Sequence, residues 1–367
     1  MPPDSDNPCA SGLHKTAHAA SPGRTLLVVP QRRRRTTIND VAAASGLSAA
    51  TVSYALRGLQ VPAETQARVR EVARQLDYEV NPIARALASG RTGTVGVLFG
   101  SLEDLWQQAL AVGLSRALLD RNRYAIIADV GGDPEREGRL VRQLHDQQVD
   151  GIIASPLDPE ADYWADLTAS TAVVTIGDAL PLAPDAGCVL FDNRRGVAMA
   201  LGHLAELGHR RVAVFTPSLP RTPERPADLL ATQVGAELGL QVTLVHSAAS
   251  ATSAAAAAEV VLAAEDRPTA AFAMSDSMAY GVYLAAHRRE LRIPEDLSVL
   301  GYDDHLTSQL VAPALTTLSW DEPGIVSAGV ALMVSAIEIG NRRRRETFVP
   351  QLRKRASTQA VGRAVAG

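Results

Sequence analysis

The sequence predicts two architectures in one chain: a small all-α helix-turn-helix head over residues 36 to 80, and an α/β body of two lobes with parallel sheets over residues 92 to 362. Three observations lead there. Two short helical patterns flank Ser45-Gly46-Leu47-Ser48. From Thr94 onward short apolar runs alternate with helical stretches, about four runs on each side of residue 190. Charge is also unevenly spread: residues 31 to 91 hold ten Arg against five Asp or Glu, while the whole chain is -4 and residues 1 to 30 balance, so the remainder carries about -9. A basic head on an acidic body is the electrostatic footprint of nucleic-acid binding.

At 367 residues the chain is long enough for two or three domains with real cores, and its 46% hydrophobic and 21% charged content excludes a fibrous or broadly disordered protein. Cys9 and Cys188 are too few and too far apart in sequence for a disulfide framework or a cysteine-based zinc site, which points to a reducing cytoplasm. No run reaches the roughly 18 to 20 apolar residues that span a bilayer, and Thr25 to Pro30 is too short for a signal-peptide core. Residues 1 to 35 lack an apolar period and read as a disordered arm whose closing Arg32 to Arg35 can meet phosphate.

In the head, Thr37-Ile-Asn-Asp40 reads as a capping box that opens a helix, and Ser45-Gly46-Leu47 ends it. Ser48 caps a second helix, Ala49 to Leu56, in which Val52 and Leu56 share a core face. Such a pair sends its second helix into the major groove. Ala49, Ala50 and Tyr54 are then the base-facing set, with Thr37, Ser48, Thr51 and Ser53 placed for phosphate contacts or capping. A third helix, about Ala63 to Leu76, carries Val69, Val72 and Leu76 at core spacing.

Residues 81 to 91 form a hinge and linker. Asn81-Pro82 starts a helix that Gly90 stops, about two turns long and too short to be stable alone. Paired over the minor groove, it offers Leu87 as a wedge between base pairs; otherwise Leu87 packs on the body.

Together Thr-Ile-Asn-Asp-Val-Ala, Ser-Gly-Leu-Ser-Ala-Ala-Thr-Val-Ser-Tyr-Ala-Leu, Leu-Asp-Tyr and Asn-Pro-Ile-Ala-Arg-Ala-Leu resemble the LacI/GalR family of bacterial transcription regulators, over residues 36 to about 359. The resemblance implies a homodimer with paired hinge helices on double-stranded DNA, reading a partly palindromic operator. Its base-reading positions fall on Ala49, Ala50 and Tyr54, and its hinge contacts on Ala84 and Leu87. Three residues depart from the pattern: Arg57 stands where Asn is usual, Pro62 where a Ser cap is usual, and Val80 where Pro is common. Two alanines and a tyrosine offer bases few hydrogen bonds, so they do not spell out an operator.

In the body, the resemblance implies a periplasmic-binding-protein-like (type I) fold, with lobe 1 from about 92 to 190 and 320 to 349, and lobe 2 from 191 to 319 and 350 to 362. Asp150-Gly-Ile-Ile, Phe191-Asp-Asn-Arg-Arg-Gly and Ser298-Val-Leu-Gly-Tyr-Asp-Asp carry it. Ligands of such folds sit outside the carboxyl ends of the strands, here between the lobes. The resemblance makes Asp303 the expected acceptor for an effector's hydroxyls and puts Ser275-Asp276 where the family has an Asn-Asp or similar pair, both effector-binding candidates; Trp106 and Trp320 are candidate apolar walls, with ordinary capping and core roles as the alternative. The effector is read as a small molecule, such as a sugar.

Other signals are plainer. Ser247 to Ala264 reads as an exposed Ala-rich helix, Gly131-Gly-Asp-Pro as a turn, and His203 and His209 are spaced wrongly for a helical metal pair. The segment Pro217 to Pro226 lacks a spaced Arg-x-x-Gly, since Thr232 stands at that interval before Gly235. No nucleophile, base and orienter set stands out, so no enzyme, cofactor or metal is expected. The rival to a regulator is a two-lobed sugar-binding protein with no DNA-linked role.

Overall fold

The computed structural model describes residues 36–79, 86, 90–218, 227–340 and 344–361. The chain divides into two compact units, Met1–Val80 and Asn81–Gly367.

The head unit contains α1 (Ile38–Ser45), α2 (Ala49–Leu56) and α3 (Ala63–Gln75). The Thr37 capping box is formed in both directions, and Gly46 ends α1 at φ 70°, a conformation that costs glycine little. The Thr36 hydroxyl donates to Leu76 O and the Arg68 guanidinium to Ser45 O, tying the third helix to the start and the turn of the motif. Val41, Val52, Ala55 and Val69 are fully buried. The sequence reading paired Val52 with Leu56; the structure pairs it with Ala55 and leaves Leu56 half-buried. Ala55 was overlooked because alanine gives little hydrophobic contrast, yet its small size lets the helices approach. Pro62, in the cap position of α3, makes no side-chain cap.

The body unit holds two six-stranded sheets. One has the order β11-β5-β4-β3-β1-β2 and the other β12-β10-β9-β8-β6-β7. The strands are β1 (Thr94–Phe99), β2 (Tyr124–Asp129), β3 (Gly151–Ala154), β4 (Ala172–Gly177), β5 (Gly187–Phe191), β6 (Arg211–Pro217), β7 (Gln241–Ser247), β8 (Ala270–Ala273), β9 (Ser298–Asp303), β10 (Thr316–Ser319), β11 (Arg345–Phe348) and β12 (Gln351–Arg353). All pair in parallel except β12 with β10. Eight strands are legible as apolar runs. The other four, β5, β10, β11 and β12, are short or half-exposed, and the last two are polar in sequence.

The helices are α4 (Leu105–Leu119), α5 (Pro134–Asp146), α6 (Tyr163–Thr168), α7 (Asn193–Glu206), α8 (Ala227–Glu237), α9 (Ala251–Leu262), α10 (Asp276–Arg288) and α11 (Glu322–Ile339). The chain passes between the sheets three times: after β5, after β10 and after β11. Helix α11 is long and apolar enough to cross a membrane, but Ile325, Val330, Leu332, Met333 and Ala336 are buried in the body core, so it serves as a core helix.

The Ala-rich helix departs from its reading as exposed. Ala254, Ala255, Ala258 and Leu262 of α9 are buried, and Ala254, Ala258 and Leu262 join a cluster with α10. Gly281 permits the contact: a Cβ there would stand 2.7 Å from Ala255 N and 2.8 Å from Ala254 Cβ. Alanine here sets a close helix separation, which composition alone reads as low complexity.

Candidate DNA-reading face and effector cleft

On α2, the exposed residues Ala50, Tyr54 and Arg57 fall four and three positions apart, a single stripe at about 100° per residue opposite buried Val52 and Ala55. Arg57 stacks on Tyr54, its guanidinium carbon 5.1 Å from the ring centroid, and its Nε donates to Ser53 O at 3.2 Å. Ala49 is half-buried against the head core, so it offers less surface than Ala50. The Thr37 hydroxyl is engaged with Asp40, and Ser48 Oγ accepts from Thr51 N and bonds the Thr51 hydroxyl. These three hydroxyls are therefore occupied in capping. Ala84 and Leu87 lie outside the described residues. Arg57 was singled out in sequence only as a departure; its spacing of seven from Ala50 was the available signal.

In the body, a cavity of about 340 Å³ opens at the carboxyl ends of both sheets. Trp106, Phe191, Trp320 and Tyr302 form a continuous aromatic wall, with Trp106 to Phe191 at 5.4 Å, Phe191 to Trp320 at 4.8 Å and Trp320 to Tyr302 at 5.5 Å between ring centroids. The two tryptophans read as candidate walls thus belong to it, one entering on α4 and the other following β10.

Asp303 lines the same cavity at the end of β9, with φ 142°, a strained value for a non-glycine residue. Burial pushes its carboxyl well above the usual carboxylate range, and nearby Asp104 and Asp276 push the same way. Ser275 also lines the cavity and caps α10 by accepting from Met278 N.

Asp276 does not line the cavity, a correction to its sequence assignment. With Ser275 as the cap, Asp276 occupies the first helical position and turns inward, 1% exposed. It accepts from the Thr317 hydroxyl at 2.6 Å, from His305 N at 2.9 Å and from the Ser308 hydroxyl. Gly301 leaves it room, since a Cβ there would strike its Oδ1. Asp276 thus pins the loop that follows β9. Glu137, also fully buried, does the same for the loop after β3, accepting from Leu157 N, Asp158 N and the Tyr163 hydroxyl.

Two residues passed over in sequence join the site. Asp104, 3% exposed, caps α4 by accepting from Trp106 N and Gln107 N, and the hydroxyls of Ser275 and Ser277 also bond it. Burial raises its carboxyl pKa despite these bonds. Asn193 receives the Tyr302 hydroxyl on its Oδ1 at 2.8 Å, while its Nδ2 is buried with no partner. The Trp106 indole Nε1 is likewise buried with no partner. Polar cavity residues carry no hydrophobic period, so only the quoted Phe191-Asp-Asn stretch marked one of them.

Gly131 and Gly132 adopt φ 67° and 75° before Asp133 caps α5, a turn at the cavity rim. His203 bonds the Thr358 hydroxyl, and His209 bonds the Thr269 hydroxyl and Gln359 O, so both fasten the last described residues. Thr232 donates to Asp228 O within α8. Among the described residues no group of three His, Cys, Asp or Glu is placed to hold a metal ion.

A helix-turn-helix head joined to a two-lobed body with a cleft defines the class of transcription regulators that bind both DNA and a small molecule. Residues 37–81 match the model of bacterial regulatory proteins of the lacI family, and residues 201–358 match the periplasmic binding protein-like domain. The chain thus carries a lacI-family head and a periplasmic binding protein-like domain.

It is 29% identical over 288 residues to the HTH-type transcriptional repressor PurR of Vibrio cholerae serotype O1 (strain M66-2), covering 77% of this chain and 85% of that one. It is 26% identical over 309 residues to the ribose operon repressor of Escherichia coli (strain K12), covering 82% and 93%. A crystal structure of the Lac repressor dimer bound to operator and the anti-inducer ONPF shares the fold, with a TM-score of 0.78 and 24% identity over 89% of this chain and 100% of that one. These named relatives are repressors rather than enzymes.

Proposed function

We propose that this protein is a dimeric repressor that reads a partly palindromic operator through α2 and is controlled by a sugar or related metabolite held between its lobes. The observation that carries the reading is the aromatic-walled cleft at the meeting of two sheets, in a chain that also bears a DNA-reading head. Base contacts fall to Ala49, Ala50 and Tyr54, with Thr37, Ser48, Thr51 and Ser53 near phosphate and Ala84 and Leu87 at the minor groove. Asp303, Ser275, Trp106 and Trp320 hold the effector. The protein works in the cytoplasm and catalyses no reaction.

Dimer pairing is supported by an apolar surface on the body: Tyr124, Ile126 and Ile127 on edge strand β2, with Val112 and Leu119 on neighbouring α4, are each more than a third exposed. An effector shifts operator occupancy only through its different affinity for two lobe arrangements.

The test is salt-dependent binding of the purified protein to duplexes from beside its own gene, against random duplex. A palindromic site bound preferentially supports the proposal; equal binding favours the free-standing sugar-binding reading. Leu87→Ala is expected to weaken specific binding more than nonspecific binding.

A further inference from the structure

We infer that Asp150 and Arg123 are positioning residues for operator recognition: they fasten residues 91–93, the linker that ties the head to the first lobe, so that the two heads of a dimer stand at one spacing. This rests on the reading of the chain as a dimer on a partly palindromic operator, and it names what sets the distance between half-sites.

The linker is held at each of its residues. Asp150 Oδ1 accepts from Thr92 N at 2.7 Å and from the Thr92 hydroxyl at 3.0 Å, and Oδ2 accepts from Gly93 N at 3.0 Å. Arg91 donates from Nη2 to Ile337 O, in the last turn of α11, at 2.8 Å. The Arg123 guanidinium donates to Asp150 Oδ2 at 3.0 Å and to Glu338 Oε1 at 3.1 Å, so the carboxylate that holds the linker is itself tied to α11. The Asp150 and Arg123 side chains are 4% and 8% exposed. A charge so buried is costly unless it is paired and hydrogen-bonded, and here four donors meet one carboxylate.

The second lobe supplies an internal comparison. Asp150 precedes β3 and its N–H donates to Thr94 O, while Thr269 precedes β8 and its N–H donates to Arg211 O. The parallel registers, Val95 with Gly151 and Val212 with Ala270, make His209 the counterpart of Thr92. There the entry to the first strand is fastened by neutral bonds of His209, to the Thr269 hydroxyl at 2.9 Å and to Gln359 O at 3.2 Å. Strand entry by itself therefore needs no buried carboxylate. The lobe whose first strand follows the head has one, with an arginine and a glutamate behind it.

Chain length shows what the fastening achieves. Each unfastened residue adds at most about 3.3–3.6 Å of reach, so a loose linker of three adds up to about 10 Å per protomer. One base pair advances the duplex by about 3.4 Å. Loose linkers thus let two heads settle on half-sites several base pairs off. Anchored linkers confine them to one spacing, which for a two-headed reader is part of what it recognises. Slack also dilutes the second head around its half-site, because effective concentration falls with linker length.

The test is binding of the full-length protein to the preferred site selected from a random duplex pool, and to versions of it with base pairs added or removed at the centre. Wild type is expected to bind the altered spacings about tenfold or more weaker. Arg91→Ala/Thr92→Val cuts the side-chain ties on the linker and leaves the buried ion pairs in place. Asp150→Asn acts from the other side: with its oxygen kept on Thr92, its amide nitrogen faces Gly93 N and the Arg123 guanidinium, a donor against donors. Both variants are expected to narrow the spacing ratio to within about threefold, with an unchanged circular dichroism spectrum. Should Asp150→Asn unfold the body, the linker variant decides. A role confined to strand entry lowers the melting temperature and leaves the ratio where it is, and a lost phosphate contact at Arg91 weakens every spacing alike. Either variant, folded and keeping the wild-type ratio, therefore overturns the inference. A wild type with no preferred site, or indifferent to its spacing, overturns the operator reading instead, and the inference with it.

Discussion

The Leu105 amide donates to the Ser277 hydroxyl at 3.2 Å, joining the start of α4 in one lobe to α10 in the other. The same hydroxyl bonds the Asp104 carboxyl, so two groups of the first lobe depend on one side chain of the second. Ser277→Ala strands the Leu105 amide and removes one donor from Asp104, which keeps Trp106 N and Gln107 N. The expected cost is about 1 kcal/mol of body stability and a larger fraction of open cleft. Thermal unfolding and the ligand-free radius of gyration check this; an unchanged midpoint and radius would refute the latch.

Asp276 holds three donors beneath the cleft, and two of them, the Ser308 and Thr317 hydroxyls, belong to fully buried residues. Asp276→Ala is expected to destabilise the body by about 3 kcal/mol or more, because each stranded buried donor carries its own desolvation cost. Asp276→Asn should cost less, since its remaining oxygen still accepts. Urea unfolding of the two variants separates these outcomes, and equal losses would count against the hydrogen-bond account.

Arg57 and Tyr54 form a stacked pair on the exposed stripe of α2. The stack itself is worth about 0.5–1 kcal/mol at an exposed site, but it holds a guanidinium on the same exposed stripe as Ala50. Arg57→Asn is expected to relax sequence preference at one position of each half-site, at a cost of about 1–3 kcal/mol. Selection of preferred sites from a random duplex pool, with wild type and variant in parallel, measures this. A uniform loss across sequences, with a shallower salt dependence, would instead identify Arg57 as a phosphate contact.

Burial holds His203 and His209 below the usual histidine range, Lys354 adding to the effect at His203 and Gln359 O partly opposing it at His209. Both imidazoles are neutral in the folded protein, where they bond Thr358, Thr269 and Gln359 O. A lowered folded pKa means that the unfolded chain binds the proton first. Their contribution is therefore present above about pH 6.5 and is lost as pH falls through the folded values. Urea midpoints at about pH 8 and about pH 5.5 should differ less in His203→Gln/His209→Gln than in wild type.

Gly281→Ala puts a methyl into the contact between α9 and α10. Alanine is the better helix former, yet the overpacked contact should dominate and cost about 1–3 kcal/mol. A melting temperature equal to or above that of wild type would show that α9 can move away.

Much of the fold was legible because apolar periodicity reports burial directly. The eight longer or more apolar strands, the Thr37 and Ser48 caps and the Gly46 stop all follow from residue types acting on their immediate neighbours. Strands β11 and β12 were not legible: Arg345–Phe348 and Gln351–Arg353 are short edge strands, ordered by pairing with β5 and β10 rather than by any pattern of their own. At the cleft, Trp106, Trp320, Ser275 and Asp303, read from the sequence as candidate effector contacts, line the cavity, whereas Asp276, adjacent to one of them, lies outside its lining.

By itself the sequence determined that a helix-turn-helix head precedes a two-lobed α/β body, since caps, turns and periodicities are local and the head's motifs are contiguous. Only the tertiary structure decided which carboxylate meets the cavity and which supports it, that Asn193 is oriented by Tyr302, and that Asp104 reaches across the lobes. The reason is distance along the chain: Asn193 and Tyr302 are 109 residues apart, and Leu105 and Ser277 are 172 apart. A partner that far away leaves no periodicity in the sequence, and it is met only when the elements that carry the two residues are packed together.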